Sequence, residues 1–176
     1  MTSTKPPKRP RPPSDSGKTG IEPKTALVGE PPRPIRSLST SKQAVPTGCV
    51  IPLGEKYRGK QGLDYIPAVS AENVGSSGIW FGMVTIPPGG RTVAHYHEAH
   101  ETAIYVISGH ELEMYSGDQL EVQEICGPGD FLYIPAGVPH VAVNRSQTPV
   151  KAVLARTDPN EQESVVLRPE LESKVP

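Results

Sequence analysis

The sequence predicts an all-β fold over residues 46–172, a sandwich or barrel of about eight to ten strands. Short runs rich in Val, Ile, Tyr and Thr recur there at a spacing of roughly 8–14 residues. Turn-forming stretches such as SGD, GPGD and PAGVPH separate these runs. None of this region shows the apolar period of about 3.6 residues that is typical of a long helix. Together these observations favour a β-barrel.

The predicted strands follow one another along the chain with little sequence between them. In order, they lie in GCVIPL (48–53), DYIPAVS (64–70), GIWFGMVTI (78–86), RTVAHYH (91–97), ETAIYVISG (101–109), HELEMYSG (110–117), QLEVQEICG (119–127), DFLYIPAG (130–137), HVAVNRS (140–146) and VKAVLART (150–157). The stretch DPNEQESVVLRPELE (158–172) could hold a helical turn.

Residues 1–45 have a different composition. Ten of the 21 prolines lie within residues 1–46, together with nine Lys or Arg but only three Asp or Glu. Residues 1–45 have too few apolar side chains to offset, by burial, the entropy lost when a chain becomes ordered. We therefore predict that they form a disordered, basic, Pro-rich tail. Because there is no apolar signal region and no run of 18 apolar residues, we expect neither a secretory leader nor a membrane span.

Histidines are concentrated in one short segment. His95, His97 and His100 fall within six positions, although the chain has only five histidines. In a strand, residues two apart point to the same face, so His95 and His97 should point together into the barrel. His140 opens a distant predicted strand and could join them. Such a set of nitrogen donors suits one divalent transition metal ion: Fe, Zn, Mn, Ni or Cu.

The two histidine segments resemble the paired motifs of the cupin superfamily, small metal-binding barrels of jelly-roll topology. The first motif is a glycine, H-x-H, a glutamate and a second glycine, which correspond here to Gly89, His95, His97, Glu101 and Gly109. The second, G-x5-P-x-G-x2-H-x3-N, is matched at every fixed position by Gly129, Pro135, Gly137, His140 and Asn144. One motif pair implies a single-barrel cupin with His95, His97 and His140 as metal ligands.

The resemblance leaves the fourth ligand open. Counting forward from His97 reaches Glu101, whereas counting back from Gly109 reaches Thr102. If the strand is regular from His100 onward, His100 and Thr102 share a face and Glu101 points away. A bulge or late strand start would turn Glu101 inward. We expect Glu101 as the ligand or as a general base, with His100, or a site of three histidines only, as alternatives.

The expected function is metal-dependent chemistry on a small, aromatic or apolar organic molecule. We expect an apolar and aromatic lining around the ion, drawn from Trp80 or Phe81, Met83, Ile104 or Tyr105, Tyr115, and Phe131 or Tyr133. With no basic residue expected in the central strands apart from Arg91, a multiply phosphorylated sugar is disfavoured. The hypotheses are dioxygenation, Lewis-acid cyclisation or isomerisation, and a non-catalytic binding or sensing module. We also expect a cytoplasmic homodimer without nucleic-acid partners.

Overall fold

The computed structural model describes residues 47–160 and 164–176 and confirms the all-β fold. Its described part contains eleven strands in two antiparallel sheets, and Thr47–Pro176 forms one compact unit. The predicted tail at residues 1–45 lies outside the described residues.

One sheet has six strands. Its members are β1 (Tyr57–Arg58), β2 (Asp64–Val69), β3 (Trp80–Ile86), β5 (Thr102–Ser108), β8 (Phe131–Ile134) and β10 (Val150–Arg156). Their spatial order is β1-β2-β3-β10-β5-β8. Strand β10 therefore lies between β3 and β5, and both of these partners are far from it in the sequence.

The other sheet has five strands. They are β4 (His95–His97), β6 (Leu112–Ser116), β7 (Val122–Cys126), β9 (His140–Val143) and β11 (Val165–Leu167), in the order β11-β4-β9-β6-β7. The helix α1 (Ala71–Val74) and a final 3-10 helix (Pro169–Lys174) complete the described elements. The two strands that carry the buried histidines, β4 and β9, are therefore neighbours in this sheet.

The main core fills the space between the sheets. Strand β3 shows the pattern: every second residue from Trp80 to Ile86 is buried, and Phe81, Met83 and Thr85 between them are more exposed. This alternation follows from the two-residue repeat of a strand with one face on the core. Burial of these side chains, at about 1.5–3 kcal/mol for each large apolar one, is the main source of stability.

Four elements differ from the sequence expectation, and one of them is β1 (Tyr57–Arg58), which lies in none of the predicted strand segments. The run GCVIPL (48–53) is not a strand: Val50 is 95% exposed, and Pro52 lacks the N–H that a sheet ladder needs. The short helix α1 was not predicted, although Ser70 and Asn73 form a capping box at its start. The end of the chain forms strand β11 before its 3-10 helix.

Candidate metal centre

Strands β4 and β9 position the three buried histidines. His95 and His97 lie on the inner face of β4, and His140, the first residue of β9, pairs directly with His95. The PAGVP turn before β9 is held against β4, because the N–H of Gly137 donates to the carbonyl oxygen of His97 at 2.7 Å. Gly137 has a φ of 74°, a left-handed conformation that glycine adopts without strain. This explains the glycine of the second motif.

The three imidazoles converge on one point. One ring nitrogen from each of His95, His97 and His140 lies within 4.8 Å of the others. Nδ1 of His95 donates to the carbonyl oxygen of Val93 at 2.8 Å, and Nδ1 of His140 donates to that of Val138 at 2.9 Å. Since a carbonyl oxygen can only accept, these bonds leave the Nε2 lone pairs of both rings available for a metal ion.

Burial keeps the three rings neutral. It lowers the pKa of His140 to about 4 and, together with the positive charge of Arg156, that of His97 to about 3. Burial, followed by the repulsion that a protonated His140 would exert, places the pKa of His95 well below its usual 6.5. A metal ion binds the unprotonated imidazole, so protons compete little for these nitrogens near neutral pH.

The donor set therefore fits a transition metal ion. Three neutral, oriented imidazole nitrogens suit Fe, Mn, Ni, Cu or Zn, whereas Mg²⁺ and Ca²⁺ prefer oxygen ligands. The structure brings together the three histidines that the motif pair predicted. It does not bring the two other candidates, Glu101 and His100, to the same point.

Glu101 lies on the outside of the barrel. Its Oε1 accepts a hydrogen bond from the hydroxyl of Tyr133 at 2.6 Å, and its side chain is exposed. His100 donates from Nδ1 to the carbonyl oxygen of Thr157 at 3.1 Å, in the loop before β5. Because β5 begins at Thr102 and alternates regularly from there, Thr102 points inward and Glu101 outward. Counting back from Gly109 thus identifies the residue that points inward, Thr102.

Thr102 stands on the cavity wall with its hydroxyl group buried. Its Oγ1 has no hydrogen-bond partner within residues 47–160 and 164–176, and the same holds for Oε1 of Gln61. Both side chains line the cavity that contains the histidines. Since buried polar groups normally have partners, these two atoms are available to a molecule that enters the cavity.

The cavity itself is small and largely apolar, with a volume of about 60 Å³. Of the expected lining residues, Ile104 lines the cavity, whereas Met83 and the expected aromatic side chains, Trp80 and Tyr115 included, do not. The aromatic residue in its wall is Tyr65, which was not expected there. Phe81, Tyr105, Phe131 and Tyr133 are 36–78% exposed on the outer face of the six-stranded sheet. The apolar wall is formed mainly by aliphatic side chains, namely Leu63, Val84, Ile86, Ile104, Leu112, Met114, Ile134 and Leu154.

Arg156 is the functional candidate that sequence reasoning missed. It is the last residue of β10, is only 3% exposed and lines the cavity, whereas Arg91 pairs with Glu172 at 2.6 Å and does not. The expectation that the central strands carry no other basic residue was therefore wrong. The signal was in the sequence: Val150, Ala152 and Leu154 alternate inward, and the same period reaches Arg156.

Comparisons with known proteins agree with the fold and the motifs. The cupin domain family matches residues 82–156. Quercetin 2,3-dioxygenase of Bacillus subtilis (strain 168) is 37% identical over 54 residues, which are 31% of this chain but only 15% of that protein.

Two solved structures share the fold at low sequence identity. An uncharacterised protein with a double-stranded β-helix domain from Klebsiella pneumoniae subsp. pneumoniae is 21% identical, with a TM-score of 0.50 over 65% of this chain and 84% of the other. Oxalate decarboxylase of Bacillus subtilis, a protein with Mn(II) centres, is 22% identical, with a TM-score of 0.53 over 61% of this chain and 28% of the other. Among the described residues, no helix has the length and apolar character needed to cross a membrane.

Proposed function

Because this chain belongs to the cupin superfamily, we propose that it is a metal-dependent enzyme that acts on a small organic molecule, with dioxygenation as its reaction. His95, His97 and His140 would hold one divalent transition ion, which would supply open coordination positions for a substrate and dioxygen side by side. The observation that supports this most directly is the convergence of three neutral imidazoles within 4.8 Å.

The protein's own residues prepare the site. The carbonyl oxygens of Val93 and Val138 fix two of the rings, and the hydroxyl Oγ of Ser164 lies 3.4 Å from Nδ1 of His97. Such outer contacts hold the ring orientation that ligation requires. The aliphatic wall excludes bulk water and thereby strengthens electrostatic interactions inside the cavity.

Lewis-acid cyclisation or isomerisation is the less well supported reaction. It would need a general base that can reach the substrate. Glu101, the candidate base, faces outward, and no carboxylate lines the cavity in the described part of the chain. The same three-histidine site in a non-catalytic binding module would lack turnover but would still bind the ion.

The first test is the metal content of the purified protein and of five single variants. We expect about one transition ion per chain, and a loss of more than tenfold in affinity for His95→Ala, His97→Ala and His140→Ala, because chelation depends on all donors together. His100→Ala and Glu101→Gln serve as controls and should keep the ion.

Two results would contradict the proposal. Full metal content in the three histidine variants would remove the assigned site, and loss of the ion in Glu101→Gln would show that the carboxylate turns inward on binding. Oxygen uptake by the loaded protein, measured with a panel of small organic molecules as substrates, then separates an enzyme from a binding module.

A further inference from the structure

We propose that the outer face of the six-stranded sheet binds the same face of a second copy of this chain, so that two copies form a two-fold symmetric dimer. The inference does not depend on the metal site. It depends on three features of strands β3, β5, β8 and β10: the apolar surface that they expose, its size, and the positions of the two charged side chains at its ends.

The outer face of these strands exposes large apolar side chains. Phe81 on β3, Tyr105 and Ile107 on β5, and Phe131 and Tyr133 on β8 all point outward and are 36–78% exposed. The rings of Tyr105 and Phe131, which lie on neighbouring strands, have their centres 4.7 Å apart. Four of the five side chains are aromatic, and aromatic residues are enriched where proteins bind one another.

Smaller apolar side chains fill the space between the aromatic ones. Met83, Ala103, Val153 and Ala155 also lie on the outer face, because they alternate with buried residues along their strands. A shallow apolar depression of about 340 Å³ lies in this surface. A single exposed apolar side chain is ordinary, whereas a contiguous apolar patch of this kind is typical of a docking surface.

The size of the face is that of a stable dimer interface. A standard interface buries about 800 Å² on each partner. At about 150–250 Å² for a whole aromatic side chain, the four aromatic residues alone leave roughly 400 Å² exposed. The smaller apolar residues and the side chains at both ends bring the face to the same order as the standard interface. Two sheets can pack in this way face to face, as the two sheets of a β-sandwich do.

The charges on the face lie at its two ends. Among the outward-pointing residues of these four strands, all of which the structure describes, Lys151 is the only charged one. It lies opposite Ser108, at one end of the pair formed by β10 and β5. Glu101 lies at the other end, where its carbonyl oxygen accepts from the N–H of Thr157 and its exposed carboxylate accepts from the hydroxyl of Tyr133. The face therefore has one positive and one negative end.

This charge arrangement selects the orientation of the second copy. A two-fold axis between the sheets and perpendicular to the strands reverses the strand direction, so it brings each Lys151 to Glu101 of the second copy. Lys151 and Glu101 lie three residues from Leu154 and Ile104, which are paired in the middle of the two strands. The axis therefore passes through the centre of the apolar face. An axis parallel to the strands would instead bring the two lysines together, which like-charge repulsion disfavours.

Sedimentation velocity of the full chain tests the dimer directly. We expect a dissociation constant in the micromolar range or below. Phe131→Glu should raise it roughly 100-fold, because it places two carboxylates in an apolar interface. Since Phe131 is 78% exposed, this variant should still fold. Ile125→Glu is the matched control, because Ile125 is 60% exposed on β7 of the other sheet, and this variant should stay dimeric.

A charge exchange tests the orientation. Lys151→Glu and Glu101→Lys each create two like-charge contacts in the dimer, and each should weaken it about tenfold. An equimolar mixture of the two variants should regain nearly the wild-type affinity, because both contacts of the mixed dimer again join opposite charges. Neither variant alone can show this recovery.

Three results would overturn the inference. The first is a full chain that is monomeric at tens of micromolar, whether another segment of the chain or another protein then covers the face. The second is a dimer that Phe131→Glu leaves intact, or that Ile125→Glu dissociates to the same extent. The third is a mixture of the two charge variants that dissociates as readily as each variant alone, which would exclude the proposed two-fold arrangement.

Discussion

The stability of the metal-free protein should fall as the pH drops from 7.5 to 5.5, because three imidazoles are buried in neutral form. Their pKa values in the folded protein lie below the usual 6.5, at about 3 for His97 and about 4 for His140, and well below 6.5 for His95. In this pH range the unfolded chain therefore binds protons that the folded protein does not. Protonation then favours the unfolded state.

The size of the effect follows from the number of histidines. At pH 5.5 an unfolded histidine is about 90% protonated, so each imidazole that stays neutral in the folded state costs about 1.4 kcal/mol. For the three rings the free energy of unfolding should be about 4 kcal/mol lower at pH 5.5 than at pH 7.5. That is a large part of the 5–15 kcal/mol that is typical of a folded domain. The loss should continue toward pH 4, where His140 begins to titrate.

Urea denaturation of protein treated with EDTA, followed by the fluorescence of buried Trp80, measures this quantity directly. In His140→Gln, which removes one of the three imidazoles, the loss should shrink to about 3 kcal/mol. His110→Gln, at an exposed position, is the control and should show the wild-type loss. Equal free energies of unfolding at pH 7.5 and 5.5 would show that the three rings accept protons in the folded protein, and would refute the reasoning.

Two further predictions concern the barrel itself. Asn144 is fully buried, and its Nδ2 donates to the carbonyl oxygens of Ile86, Pro87 and Thr148 at 2.8–3.1 Å. Asn144→Ala should therefore lower the free energy of unfolding by about 3–5 kcal/mol, measured in urea, and a loss below 1 kcal/mol would contradict this role. Burial raises the pKa of the Cys126 thiol to about 11. In folded protein its alkylation by iodoacetamide should be slow at pH 8 and rise about tenfold per pH unit up to that pKa, since only the thiolate reacts. Rapid labelling of Cys126 at pH 8 would exclude such burial.

The barrel and the histidine site could be predicted from the sequence because both depend on the two-residue period of a strand. That period placed His95 and His97 on one face, and the second motif added His140 at a fixed spacing. The second motif also included Asn144, whose side chain hydrogen-bonds to the carbonyl oxygens of Ile86, Pro87 and Thr148 and so joins the end of β3 to the turn after β9.

The fourth-ligand question could not be decided from spacing, because it depended on the residue at which β5 begins. A start one residue earlier or later exchanges the faces of Glu101 and Thr102. Arg156 was overlooked because a charged residue at the end of a strand is usually solvated, and its burial depends on Trp80, more than 70 residues earlier. The homodimer and the cytoplasmic location stay predictions.

The pairing of β4 relates metal uptake to the order in which the chain is synthesised. This strand shares three residue pairs with β11 but only one, His95 with His140, with β9. A nascent chain that has reached residue 160 already contains all three histidines, yet β4 still lacks its main neighbour. Pairings between such distant segments form late, because the long loop between them must first close. Metal uptake should thus follow the synthesis of Val165–Leu167, and a ribosome paused before them would present three histidines that bind an ion only weakly.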